Sequence, residues 1–296
     1  MVEEASSPTQ LGFAGMPRRL FACTPSRLTT WADCPRRYRM TYIDRPRPAS
    51  GPPWAHNSVG ASVHSALAGW WRLPRARRDV QAAGELVNTT WSADGFRDPE
   101  QASDWLPRAR AMVERYVAGL DPDQEPVGVE RTLAARTERL ALSGRLDRLD
   151  DRDGALVVVD YKTGRRPLTI DDARASMALA LYAVAAARTL RRPCLRVELH
   201  HLPTGSVLAW EHTAASLDRQ LGRAEQIAEE AAAATATAAA ASADHAAAEV
   251  DPFPARPGSQ CGWCDVRAHC PQGQAAGAVR LPWDGLAEVD SVVGGG

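Results

Sequence analysis

The sequence predicts an α/β chain with a central mixed sheet flanked by helices. Three observations carry this: a strand–turn–strand unit in the middle of the chain, a second such unit further on, and helical periodicities around both. In the first unit, Arg139 to Leu149 and Ala155 to Tyr161 read as strands, with Asp150-Asp151-Arg152-Asp153-Gly154 as the hairpin turn between them. In the second, Leu195 to Leu202 alternates like a strand, Pro203-Thr204-Gly205 turns the chain, and Ser206 to Trp210 returns.

The helices are expected over 26–40, where Ser26 can cap the start and Leu28, Trp31 and Tyr38 are apolar, and over 58–72 through Val59, Val63, Ala66, Leu67 and Trp70. Further helices are expected over 104–119, 173–190 and 214–249. The last is alanine-rich, and its low-complexity middle presents little packing surface.

A length of 296 residues, with 45% hydrophobic and 24% charged residues, fits one globular domain with appendages. Residues 1–20 and 276–296 mix Ser, Pro, Gly and Glu without periodicity and read as flexible tails around a domain at 21–275. The start lacks a basic stretch followed by an apolar run, and there is no uncharged apolar run of about 18 residues outside the alanine tract. A cytoplasmic location without membrane contact is the expectation. A net charge of -1 means that nucleic acid would have to be held by local basic patches. The chain has no Gly-x-x-x-x-Gly-Lys-Ser/Thr loop, so unwinding a duplex would need a partner helicase.

Of the 35 basic residues, one is lysine and the other 34 are arginine. A site that uses Lys162 therefore uses it where arginine will not serve: the guanidinium is broad and stays protonated, whereas the ammonium is compact and its pKa can shift. Lys162 ends the run Val157-Val158-Val159-Asp160-Tyr161-Lys162. Strand alternation puts Asp160 and Lys162 on one face and Val157, Val159 and Tyr161 on the other. Asp147 lies on the preceding strand, in Gly144-Arg145-Leu146-Asp147-Arg148. Two carboxylates at a sheet edge can hold Mg²⁺ or Mn²⁺, which supports phosphodiester hydrolysis; an ordinary salt bridge beside a turn is the competing reading.

Four of the six cysteines form a pattern: Cys261 and Cys264 in a Cys-x-x-Cys, Cys270 five residues later, and Cys34 far upstream. Disulfides do not suit a reduced cytosol, and spacing alone leaves structural zinc and an iron–sulphur cluster open. Cys23 and Cys194 have no matching pattern and read as buried packing residues. Arg36, Arg37 and Arg39 around Tyr38 could grip phosphates while the ring stacks on a base. Trp70, Trp71 and the nearby Arg72, Arg75, Arg77 and Arg78 form a second basic and aromatic stretch, a pattern that is more often a helix end packed under a loop.

Taken together, these residues resemble the RecB-type branch of the PD-(D/E)xK nucleases over most of residues 24 to 272. The closest likenesses are Gly-Arg-Leu-Asp-Arg, Asp-Tyr-Lys-Thr-Gly and the upstream Gly60-Ala61-Ser62-Val63-His64. The resemblance implies a restriction-endonuclease-like fold and a DNA nuclease, with Lys162, Asp160, Asp147 and His64 as catalytic residues and the metal on His64, Asp147, Asp160 and Tyr161. It implies an exonuclease acting on single-stranded ends in repair or recombination. A spacer-processing nuclease of a CRISPR system and a non-catalytic DNA- or helicase-binding module are the alternatives.

The cysteine pattern, with Pro35-Arg36-Arg37-Tyr38 after Cys34 and Pro271 after Cys270, resembles the 4Fe-4S staple of AddB-type subunits and of CRISPR-associated RecB-like nucleases. It implies that a cluster joins the N- and C-terminal segments. The family's DNA-contacting helix corresponds to the one holding Tyr182, but Ala178 stands where relatives carry Gln. Glu130 precedes the hairpin where relatives often carry Glu, and is expected to support the site rather than ligate.

Overall fold

The computed structural model describes residues 20–243 and 251–286. The first strand, β1 (Phe21–Cys23), leads into helices α1 (Pro25–Asp33) and α2 (Pro35–Tyr38). These are separate because Cys34, extended at φ -162 and ψ 108, ends one and starts the other ahead of Pro35. Thus the single helix expected over 26–40 is broken by the residue-before-proline restriction. Helices α3 (Ala55–Arg72), α4 (Val80–Thr90) and α5 (Pro99–Val117) follow.

Next come strands β2 (Gly128–Arg136), β3 (Leu140–Arg152) and β4 (Ala155–Lys162), then helices α6 (Ile170–Ala175) and α7 (Met177–Leu190). The expected helix over 173–190 is two helices because Ser176 leaves the helical region to cap α7. Strands β5 (Arg196–His201) and β6 (Ser206–Glu211), the long helix α8 (Ala214–Ala243) and the short helix α9 (Pro271–Ala275) complete the elements that matter here. Beyond residue 243, the expected end of the alanine-rich helix lies outside the described residues.

The sheet is mixed, as expected. Its long strand β3 carries antiparallel β2 along one edge, while its other edge is shared: β1 pairs in parallel with Leu140 to Leu142, and β4 pairs antiparallel with Arg148 to Arg152. Between these partners, β3 and β4 splay into a fork at Asp147. From β4 the sheet continues through parallel β5 to antiparallel β6. The β3–β4 turn is tighter than predicted. Only Asp153 (φ 53) and Gly154 (φ 85) lie between the strands, both left-handed, as a two-residue type I′ connection requires.

Two apolar cores sandwich the sheet. Leu142, Leu146, Leu156, Val158 and Val197 pack with α1, α7 and α8; Val157, Val159 and Tyr161 pack on the other side with α3, α4 and α5. Val157, Val158 and Val159 are each no more than 2% exposed. This explains the continuous valine run in β4: a strand covered on both faces has no solvent side to make polar.

The reading of 276–296 as a tail needs correction. The carbonyl of Pro282 accepts a hydrogen bond from Ala55 N, and Leu286 is buried in the core of α3, α4 and α5, so 281–286 is part of the folded body. Of the expected N-terminal tail, residues 1–19 lie outside the described residues. Among the described residues no helix is long and apolar enough to cross a membrane.

Candidate functional site

The fork between β3 and β4 creates the site. The last paired residues are Arg148 and Val159; one step further, the ladder between the two strands stops and a side chain takes its place. Asp147 Oδ2 accepts the main-chain N–H of Tyr161 at 2.7 Å, and its Oδ1 stands 3.2 Å from His64 Nδ1. His64 reaches the fork from α3, with its ring edge-on to Tyr161 at 5.8 Å between centroids. Asp160 and Lys162 share one face of β4, as alternation predicts, and form an ion pair with Nζ 2.6 Å from Oδ2. A break beside β4, a strand covered on both faces, thus lets groups from opposite faces meet.

The structure promotes one residue that the sequence undervalues. Glu130 lies on β2 opposite Asp147, and ligand atoms of His64, Glu130 and Asp147 all come within 4.8 Å of one another. Two ligands on adjacent vertices of an octahedral cation with bonds of about 2.1 Å stand about 3 Å apart, close to the His64–Asp147 separation. Glu130 also holds a left-handed backbone, φ 48, an uncommon conformation for a non-glycine residue that costs about 1–3 kcal/mol and clusters at functional sites. Its carboxylate is held by Arg145 at 2.8 Å. Sequence offered only a Glu in a polar stretch; the backbone conformation that brings it to the fork left no pattern.

Electrostatics at the fork call for positive charge. Burial pushes the Asp160 carboxyl above the usual range and the negative Asp147 adds to this, against the pull of Lys162 and His64. For His64, burial works downward, but the bond to Asp147 and the charges of Asp147 and Asp160 outweigh it, and its pKa is raised. A divalent cation would relieve both, and the donors (carboxylate oxygens and an imidazole) are those such an ion takes. The tight donor set contains Glu130 in place of Asp160, whose carboxylate is drawn to Lys162. The phenol of Tyr161 faces away, accepting from Trp71 Nε1 and Arg148 Nη1, each at 3.3 Å, so only its main chain borders the carboxylates.

His64, Glu130, Arg145, Asp147 and Arg72 line an open cleft of about 420 Å³. Tyr182 of α7 borders the site as well. Its ring lies so close over Gly144 that a Cβ there would stand 2.6 Å from Tyr182 Cε1, and burial together with Asp160 and Asp147 pushes its hydroxyl up to about 12. Trp70 and Trp71 are buried core residues, in line with the packed-helix-end reading.

The four patterned cysteines converge. Cys34, Cys261, Cys264 and Cys270 line one cavity, with Arg36, Arg37 and Met40 among its other walls. All six cysteines are free, and Cys270 Sγ accepts the N–H of Gly273 at 3.3 Å. Cys23 and Cys194 sit in the core instead, where burial pushes their thiols up to about 11 and about 12.

The role expected for Tyr38 is corrected. It is 1% exposed, its hydroxyl accepts from Arg27 Nη2 at 2.8 Å, and its ring packs edge-on against Trp31, so it offers no face to a base. Arg36 is paired with Asp251 and Arg37 with Asp265, which ties the N-terminal helices to the C-terminal segment.

A family model described as the PD-(D/E)XK nuclease superfamily matches residues 22–271. No curated protein matches the sequence. Among solved structures, one from Eubacterium rectale, designated a candidate exonuclease, aligns with a TM-score of 0.46 and 12% identity over 90% of this chain and 94% of its own.

Proposed function

Since the chain belongs to the PD-(D/E)XK nuclease superfamily, whose members are metal-dependent nucleases, we propose that it is an exonuclease that hydrolyses single-stranded DNA from its ends in repair or recombination. The observation that carries the reading is the fork, where His64, Glu130 and Asp147 bring their ligand atoms together beside the Asp160–Lys162 pair. Mg²⁺ or Mn²⁺ held by His64, Asp147 and Glu130, with Asp160 and the main chain of Tyr161 at its border, would neutralise phosphate charge and acidify a water.

The chain's own residues supply the rest. Lys162 Nζ holds the Asp160 carboxylate and offers its remaining protons to a water or a phosphate oxygen. Tyr161 N–H fixes one oxygen of Asp147, leaving the other turned to His64 and the cation. Arg72 and Arg145, on the cleft wall, meet the phosphates on either side of the scissile bond.

We assign a 4Fe-4S cluster to the four cysteines. Thiolates around one zinc, with bonds of about 2.3 Å, stand about 3.8 Å apart. The four sulfurs here surround a cavity, and among the described residues the group of ligand atoms within 4.8 Å of one another is that of the fork. The cluster would fasten α1 and α2 to the segment after residue 251 and so close the chain around the catalytic sheet. A cytoplasmic setting and a helicase that supplies single strands complete the proposal.

The test is end-labelled single- and double-stranded DNA incubated with anaerobically purified protein in Mn²⁺ or in chelator. Mononucleotides released from single-stranded ends only with Mn²⁺, by a brown, iron-containing protein, are expected. Intact DNA, or a colourless preparation carrying zinc, would overturn the respective half of the reading.

A further inference from the structure

A second polar cavity, of about 380 Å³, opens on the edge strand β6, away from the fork. Its walls are unusually basic. Arg174 comes from α6, while Arg219 and Arg223 come from successive turns of α8. Arg174 is paired with Asp171 and lies over the Trp210 ring at 5.7 Å; Arg219 and Arg223 have no acidic partner among the described residues.

The walls also hold polar atoms without partners. His212 is 2% exposed; its Nδ1 is engaged by Ser216 Oγ at 3.0 Å, but its Nε2 has no hydrogen-bond partner, and neither do Trp210 Nε1 and Gln220 Oε1. Three such atoms around one cavity are costly, since each buried polar group left unpaired forfeits about 1–3 kcal/mol. A core satisfied by its own residues does not leave them so. A phosphate suits this wall: two guanidiniums and the Trp210 indole N–H donate, and His212, whose pKa burial lowers, donates from Nε2 as a neutral imidazole. A phosphate hydroxyl can donate to Gln220 Oε1, and the first turn of α8 adds the positive end of its dipole.

We propose that this cavity binds a phosphate group, the chemistry shared by a polynucleotide backbone and a free mononucleotide, and that it is a binding site separate from the hydrolytic fork. Arg219 and Arg223 grip the phosphate oxygens, Trp210 Nε1 and His212 Nε2 donate from below, and Arg174, stacked on the indole, closes the side. Trp210 pairs across β5 with Val158, so it lies on the same sheet face as Asp160, two strands over and one two-residue step along. Strand spacing and rise put the two Cα atoms about 12 Å apart. A strand whose end lies at the fork can therefore place a neighbouring phosphate here.

The proposal is tested in chelator, where no cleavage interferes, with three probes: a fluorescent oligothymidylate, thymidine 5′-monophosphate and inorganic phosphate. The readouts are anisotropy across a salt series and the NMR signals of the His212 ring, assigned with His212→Asn. We expect the oligonucleotide to shift the His212 signals. In Arg219→Glu/Arg223→Glu its affinity should fall about tenfold or more, and the salt slope should drop by about 1.4, or 0.7 for each lost contact. Trp210→Phe, which keeps the packing but removes the N–H, should weaken binding with the slope unchanged.

If the monophosphate and inorganic phosphate shift His212 as the oligonucleotide does, the source is a free phosphate; if only the oligonucleotide does, it is the backbone. His212 signals unmoved by all three probes, or a double variant that binds the oligonucleotide as tightly as wild type with the same slope, would overturn the proposal. Loss of the nuclease reading alone would leave the His212 shift intact, and DNA cleavage in Mn²⁺ without that shift would sink this site alone.

Discussion

Replacing Glu130 by Gln removes one negative oxygen from the fork and keeps the side-chain shape. In the structure its carboxylate is one of three donors within 4.8 Å, so the variant should hold a divalent ion about 10- to 100-fold more weakly, the range seen when even outer partners of metal ligands are altered. That is about 1.4–2.7 kcal/mol, and because a ligand that binds only the folded state raises its stability, it appears in the melting curve. At a Mn²⁺ concentration that saturates the wild type, the stabilisation over chelator should shrink by roughly 3 to 11 °C. Arg145→Ala is the control: it frees the carboxylate from its 2.8 Å ion pair without removing the donor, and should bind Mn²⁺ at least as well as wild type. Glu130→Gly separates ligation from strain. It should abolish the Mn²⁺ shift, yet lose no stability in chelator, because glycine relieves the φ of 48. A Glu130→Gln protein whose Mn²⁺ titration matches wild type would refute the placement of Glu130 in the ion's coordination.

The pH behaviour of the metal-free protein follows from the raised pKa values of Asp160 and His64. Each contributes stability that is present below its unfolded value and lost as pH rises through its folded value, so urea midpoints in chelator should fall from mildly acidic to neutral pH, and Asp160→Asn should flatten that fall. Gly144→Ala should cost about 1–3 kcal/mol by overpacking, since the new methyl would meet Tyr182 at 2.6 Å and Pro25 at 3.1 Å; thermal melts check this, and Tyr182→Leu should recover part of the loss. Cys34→Ser should strip the iron and colour from the protein and loosen the N-terminal helices, read as faster proteolysis before Ala55, whereas Cys194→Ser should leave the iron content unchanged.

The central hairpin was legible because each local signal agreed with the fold: a valine run, strict alternation into Asp160 and Lys162, and an Asp-Gly pair suited to left-handed turn positions. The helices of residues 55–72 and 99–117 were legible, to within a few residues, for the same reason. Strand β2 was not, because the left-handed Glu130 breaks its extended run and leaves a clean alternation only over the short stretch from Thr132 to Arg136. Strand β1, three residues long, and helix α4 offered too little pattern to read. Tyr38 looked like part of an exposed basic patch because three arginines surround it; only tertiary packing shows that it points inward while Arg36, Arg37 and Arg39 find acidic partners at Asp251, Asp265 and Asp44. The composition of 276–296 suggested a tail, but Leu286 anchors the segment in the core shared by α3, α4 and α5. Of the site, sequence held the hairpin charges and the four cysteines; what it could not hold was the fork itself, which exists only because β1 and β4 share one edge of β3.

The most direct test of the account is the Mn²⁺-dependent cleavage rate of single-stranded DNA by wild type against Lys162→Ala, both shown to be folded by their melting curves. Losing a group that positions or stabilises the reacting atoms should slow single-turnover cleavage by about 100-fold or more. Rates within a factor of about two of each other, well inside that hundredfold range, would contradict the assignment of hydrolysis to the Asp160–Lys162 fork.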